Sequence, residues 1–227
     1  DFHGGWDNKT GHLTNLLTSA DDPSSDAFKL SLDATVRLYR DVYGVPVDKL
    51  VGGATFYGRG WRNVSSSEDG LYQSGQTAPG VYEDGANYWI DLYSLEGYEW
   101  FWDDKALAAW LYSPAEGIFW SLDDPQSLAL KARYADAYGL RGMMLWEISG
   151  DDPNGSLLEA LHSGNPGPRI EQNTESGPAV NITQPDDCAI SLQGFNQVIN
   201  ASVGSDAVQV EFFTDAGEPL GYDNRSP

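Results

Sequence analysis

Apolar residues at roughly helical spacing, Phe28, Leu32, Leu38 and Tyr39, predict a helix over residues 26–43, and Gly44 and Pro46 stop it. The run from Lys49 to Gly58 that follows is short, apolar and glycine-flanked, which predicts a buried strand. The same order then repeats. Asp123, Asp124 and Pro125 open a helix through Ser127 to Tyr138, Gly139 ends it, and Gly142 to Trp146 is a second buried strand. Helix followed by strand, twice over, indicates an α/β protein with parallel strands. Residues 61–120 interrupt this order. They hold six of the eight tryptophans with frequent Gly and Tyr, and show a helical period only near Lys105 to Leu111. An inserted α+β subdomain is expected there.

After Leu161 the composition turns to Ser, Gly, Asn and Pro, which is linker chemistry over residues 163–178. Beyond it Ala179 to Thr183, Val198 to Val203 and Val208 to Phe213 are short strand-like runs at sandwich-like spacing. Residues 179–227 therefore read as an incomplete all-β domain, with too few strands for a seven-stranded sandwich. At the other end, Asp1 and its neighbours read as the end of a buried strand. The chain is expected to be a piece of a longer protein, cut at both ends.

Composition narrows the possible partners. The 227 residues carry 13 Lys and Arg against 34 Asp and Glu, a net charge of −21, so nucleic acid and anionic membrane surfaces are poor partners. A hydrophobic share of 41% still supports a packed core. Cys188 is the only cysteine, which excludes internal disulfides and cysteine-based zinc sites. The longest apolar run, Ala106 to Tyr112, is far short of a bilayer span. His3, His12 and His162 lack zinc-site spacing, and Asp151 to Gly155 reads as a turn leading into a helix rather than a calcium loop. Neither a metal nor a cofactor is expected. The chain also lacks the serine-hydrolase elbow and the P-loop.

In a parallel α/β barrel the chemistry sits just after the strands. Three segments qualify: Asp1 to Trp6, Tyr57 to Trp61, and Trp146-Glu147 with Asp151 and Asp152. Each combines an aromatic face with polar groups. A flat ring covers the apolar face of a sugar while polar groups meet its hydroxyls, so carbohydrate is the natural ligand class. The competing reading makes the tryptophans core residues and pairs Asp1 with Arg59 in a plain salt bridge.

Asp1-Phe2-His3-Gly4-Gly5-Trp6, Phe56-Tyr57-Gly58-Arg59-Gly60-Trp61, Trp120 to Ser127 and Gly142-Met143-Met144-Leu145-Trp146-Glu147, in this order, resemble the carboxyl-terminal half of the catalytic barrel of bacterial-type chitinases of glycoside hydrolase family 18. The resemblance covers residues 1–162. It implies a (β/α)8 barrel with an α+β insertion after its seventh strand, acting on β-1,4-linked N-acetylglucosamine in chitin or chito-oligosaccharides as a secreted, monomeric enzyme. By the same resemblance Asp1 contacts the sugar at the cleavage subsite, Trp146 forms its floor, Tyr57 and Arg59 lie beside it, and Trp6 is a platform on the leaving-group side. Glu147, next to Trp146, joins the substrate-binding set; it is the best-placed substitute for an acid, but without upstream groups to orient the acetamido oxygen it is expected to be ineffective. The β tail resembles the immunoglobulin-like modules of bacterial polysaccharide hydrolases.

The family's proton donor is the glutamate of an Asp-x-x-Asp-x-Asp-x-Glu motif, and no glutamate here has an aspartate two positions before it. The resemblance therefore places the acid upstream of this chain. The family's retaining mechanism is substrate-assisted, with the substrate's acetamido oxygen as nucleophile. On this reading the chain alone is inactive. The alternative is a non-catalytic chitin-binding lectin of the same fold.

Overall fold

A computed structural model describes residues 1–25 and 29–164 in full, and the backbone of 180–184, 200–203, 210–213 and 219–223. The chain divides into two units, 1–174 and 175–227.

Two strands and two helices form the α/β part of the first unit. Strand β1 (Val51–Thr55) pairs in parallel with a later strand, Gly142–Trp146, in a register that sets Thr55 opposite Trp146. The helix Pro125–Tyr138 leads into that later strand and packs on both strands. Its limits follow from local chemistry. Asp124 accepts the Ser127 N–H at 2.7 Å while Ser127 Oγ accepts the Asp124 N–H at 3.0 Å, a capping box completed by Pro125 in the first turn. Gly139 ends the helix at φ 70°, where a Cβ would be strained.

The expected helix over 26–43 is shorter. Ser31 caps α1 (Leu32–Arg37), accepting the Ala34 N–H at 3.0 Å, and Leu38–Val42 continues as a π-helical turn. Residues 26–28 lie outside the described residues. Of the apolar positions in this helix only Val36 is buried, whereas Leu38, Tyr39 and Val42 face solvent. The strand expected over 49–58 is two strands, because the chain turns at Phe56 out of β1 into β2 (Tyr57–Arg62).

Strand β2 begins an antiparallel sheet built from residues 57–122, which takes in the segment 61–120 expected as an insertion and is called the insertion below. Strands β3 (Gln76–Thr77) and β4 (Ala86–Tyr88) pair antiparallel with different parts of β2. A short helix, α2 (Trp89–Leu92), follows, then the meander β5 (Glu99–Asp103), β6 (Ala108–Ser113) and β7 (Ile118–Leu122). The sheet order is β3-β2-β7-β6-β5. The helical period read near Lys105 to Leu111 is overturned, since that segment is a turn and then β6. All six residues of β6 are buried, so both faces are apolar and the alternation that marks a strand is erased.

The later elements are thus α3 (Pro125–Tyr138), β8 (Gly142–Trp146) and α4 (Ser156–Ser163). Trp61, Phe101, Trp110, Tyr112 and Phe119 form an aromatic core inside the insertion. A second core joins insertion to helices through Phe56, Trp89, Leu92, Trp120, Leu128 and Leu157. The segment 9–17 straps the insertion: Thr10 donates to the Gly70 carbonyl at 2.6 Å, Leu13 N–H to Ser121 Oγ at 2.8 Å, and Leu17 N–H to the Ala106 carbonyl at 3.0 Å.

In the second unit β9 (Val180–Gln184) pairs antiparallel with β10 (Asn200–Val203), and β11 (Val210–Phe213) with β12 (Pro219–Asp223). The linker expected over 163–178 lies outside the described residues except for Ser163, which ends α4, and Gly164, its cap. No helix among the described residues is long and apolar enough to cross a membrane.

Candidate active site

Trp146 ends β8 with 62% of its surface exposed, although the strand's opposite neighbour Thr55 is buried. Its ring lines an open cleft of about 300 Å³ with Tyr57, Arg59, Tyr82, Glu83, Ala86 and Tyr88. The floor comes from β8 and the walls from β2, β4 and the turn before β4. The Trp146–Glu147 peptide is cis.

Asp1 closes one side. Tyr57 donates its hydroxyl to Asp1 Oδ1 at 2.5 Å, and Arg59 donates Nε and Nη2 to Oδ2 at 3.2 and 3.0 Å. Burial pushes the Tyr57 phenol above its ordinary value, so it stays protonated and remains a donor. Arg59 also reaches Glu83 Oε1 at 2.5 Å through Nη1. Its guanidinium lies 5.4 Å from the ring centres of both Trp6 and Tyr57, within cation–π range. Trp6 is 60% exposed and folds back over Gly4, where a Cβ would come 2.4 Å from the indole. One arginine thus joins Asp1, Trp6, Tyr57 and Glu83.

Glu147 faces the other wall. Its Oε1 accepts the Tyr88 hydroxyl at 2.8 Å and a hydroxyl hydrogen bond from Ser149. Those two bonds, Ser149 first, hold its carboxyl below the usual glutamate range. A general acid needs the opposite shift. What Glu147 does is fix Tyr88, whose ring lies 3.7 Å from that of Tyr82, building an aromatic wall beside Trp146.

The structure brings Tyr57, Arg59 and Trp146 to one cleft, with Asp1, Trp6 and Glu147 bonded or stacked to its lining. Other parts of the expected segments lie elsewhere. Tyr57 to Trp61 follows β1 and forms most of β2, and within it Trp61 is wholly buried, its indole N–H donating to the Asp7 carbonyl at 3.0 Å. Asp151 and Asp152 serve α4 instead of the cleft: Asp151 accepts the Leu157 and Leu158 N–H groups at 3.1 and 2.9 Å, and Asp152 accepts the Trp89 indole at 2.9 Å. His3 pairs with Asp7 at 3.2 Å. Tyr82, Glu83 and Tyr88 were missed by sequence reasoning. Only an aromatic–acid pair between Gly80 and Gly85 signals Tyr82 and Glu83, such a turn is common, and no local pattern marks Tyr88. Among the described residues no group of three or more His, Cys, Asp or Glu is placed to hold a metal ion.

The site thus combines a largely exposed tryptophan at the carboxyl end of a parallel strand with a carboxylate held by a tyrosine and an arginine. The sequence profile of the Glycosyl hydrolases family 18 matches residues 1–151, and the chain belongs to that family. It is 33% identical over 195 residues to Chitinase A1 of Niallia circulans, covering 78% of this chain and 27% of the relative. To Chitinase B of Serratia marcescens it is 29% identical over 204 residues, covering 71% and 41%. A solved chitinase from Bacillus thuringiensis superposes with a TM-score of 0.65 at 31% identity, over 81% of this chain and 34% of that one. The chain therefore spans about a quarter to two fifths of the length of these curated relatives.

Proposed function

We propose that the chain supplies the sugar-gripping part of a chitinase active site, acting on β-1,4-linked N-acetylglucosamine within a larger (β/α)8 barrel. The observation that carries this is Trp146, a large apolar ring left 62% exposed at a strand tip in a cleft edged with donors and acceptors. An exposed indole there offers a sugar ring a flat face. Asp1, fixed by Tyr57 and Arg59, then meets the acetamido group from one side. In the retaining route the acetamido oxygen attacks the anomeric carbon, so a group that orients it contributes through positioning. The proton for the leaving oxygen comes from a glutamate outside residues 1–227. Support for this is the lack of any Asp-x-Glu in the chain and the lowered, acceptor-only state of Glu147. The exposed Val51 and Met144 on β1 and β8 fit further barrel elements packed against them. An extracellular, monomeric enzyme with the second unit as an appended immunoglobulin-like module completes the reading.

A second reading, a chitin-binding protein without catalysis, is supported by the lack, among these 227 residues, of a glutamate with an aspartate two positions before it. One experiment separates the two. The full-length protein is incubated with a chito-oligosaccharide and products are followed by NMR. Cleavage with retained anomeric configuration supports the first reading, inversion overturns its mechanism, and binding without cleavage establishes the second.

A further inference from the structure

Outside the cleft lining lies a buried ion pair that none of the proposed sugar contacts uses. Lys131 on α3 is wholly buried, as is Asp123 after β7. The Lys131 ammonium donates to both oxygens of Asp123 at 2.7 and 2.8 Å and to Thr14 Oγ1 at 2.8 Å. The Asp123 carboxylate also accepts the Thr55 N–H at 3.1 Å, the Thr55 hydroxyl at 3.2 Å and the Ser127 hydroxyl at 2.7 Å. Burying a charge pair is expensive and rarely adds stability over a packed apolar pair, so its place in the fold calls for another reason.

Both arms of the network end at the cleft. Thr55 is the last residue of β1 and the register partner of Trp146, and the next N–H, on Phe56, donates to the Trp146 carbonyl at 2.8 Å. Adjacent amides at the tip of β1 therefore hold Asp123 and Trp146. On the other arm Thr14 follows Leu13, whose carbonyl accepts the Phe2 N–H at 2.7 Å, next to Asp1. We infer that the Asp123–Lys131 pair is a positioning device that sets the floor at Trp146 and the wall at Asp1 in one fixed relation. The inference rests on the functional reading above and adds two residues to it, neither of which touches sugar. A cleft of this kind loses function when supporting groups drift by about an ångström.

The test uses the full-length protein with the paired substitution Asp123→Asn and Lys131→Met, which removes both charges together and leaves an oxygen for Thr55. Asp123→Asn alone, which strands the ammonium, is the comparison that shows whether loss of fold dominates. The paired variant is expected to fold, with a thermal midpoint within a few degrees of the parent, while kcat/KM on a chito-oligosaccharide falls at least tenfold. Amide exchange at Thr55, Phe56 and Trp146 is expected to speed up at least tenfold with the insertion core unchanged. Unaltered kcat/KM per folded molecule, or unaltered exchange at those amides, would overturn the inference. Exchange requires no substrate, so it decides the matter even where the parent leaves the oligosaccharide intact, a result that would overturn the functional reading instead. Should the paired variant fail to fold, the same exchange measured on Thr14→Val, which removes only one acceptor, takes its place with the same two outcomes.

Discussion

The insertion and the β1–β8 pair differ in how they satisfy themselves. The insertion sheet pairs its strands on one another and buries Trp61, Tyr112 and Phe119 to within 1% exposure. Among the described residues the β1–β8 ladder has one partner for each strand, and Val51, Met144 and Trp146 each keep more than half their surface exposed. Two parallel strands do not make a self-sufficient sheet, because parallel sheets need cover on both faces. The contrast teaches that the aromatic residues of this chain have two separate duties. Those in the insertion make a rigid wall, and the one at the end of β8 stays available to a ligand.

The largest expected effect breaks the insertion. Trp61→Ala removes a wholly buried indole and the bond to the Asp7 carbonyl, and is expected to cost about 3–5 kcal/mol in denaturant unfolding. Met144→Ala, on the open ladder, should cost under about 1 kcal/mol by the same measurement, since its side chain is half exposed. Equal losses would abolish the contrast.

Next comes the division of labour between tryptophans. In the full-length protein Trp146→Ala is expected to lower kcat/KM about a hundredfold, or ~2.7 kcal/mol, with little change in thermal midpoint. Trp110→Ala, in the insertion core beside Phe101, should show the reverse, a lower midpoint and unchanged activity per folded molecule.

A smaller effect compares backbone sites. A Cβ at Gly60 on β2 would come 2.5 Å from the Trp120 ring, so Gly60→Ala should cost about 1–3 kcal/mol in chemical denaturation. At Gly53 on β1 the nearest atom is the end of Met144 at 4.0 Å, and alanine should be tolerated.

The smallest concerns the joint between the regions. Burial raises the Asp124 carboxyl from 3.8 to about 6, against the opposing pull of the Ser127 N–H. Above pH 6 this carboxylate is ionised in both folded and unfolded chains, and burial works against the fold. As pH falls through about 6 the folded state takes up the proton first, so its contribution to stability rises until the unfolded chain also protonates near 4. Relative to Asp124→Asn, the parent should gain about 1.4 kcal/mol between pH 8 and pH 5, read from paired denaturation curves. A difference that shrinks on acidification would refute the raised value.

How far the sequence reveals all this depends on whether the determining chemistry is local. The limits of α3 were legible because Asp124, Pro125 and Gly139 act on their own turns. The segments holding Asp1, Tyr57, Arg59 and Trp146 were legible from their places after apolar strands, and the family resemblance gave them their separate roles; no local rule brings residue 1 to residue 59. The strand β6 was misread as helical since burial on both faces leaves no period of two. The expected helix began too early, since the Ser31 cap starts it at Leu32, whereas Leu38 and Tyr39 do continue it as a π-helical turn although exposed. Tyr82, Glu83 and Tyr88 were invisible for a different reason. They become site residues through the pairing of β2 with β4, a contact between distant segments of the chain.

The most direct test of the central claim is a crystal structure of the full-length protein with an N-acetylglucosamine oligomer bound across the cleft. The expected density places one sugar ring flat on Trp146, its acetamido group toward Asp1 and Tyr57, and a glutamate from outside residues 1–227 within hydrogen-bond reach of the glycosidic oxygen. A sugar seated away from Trp146, or Glu147 occupying the place of that glutamate, would contradict it.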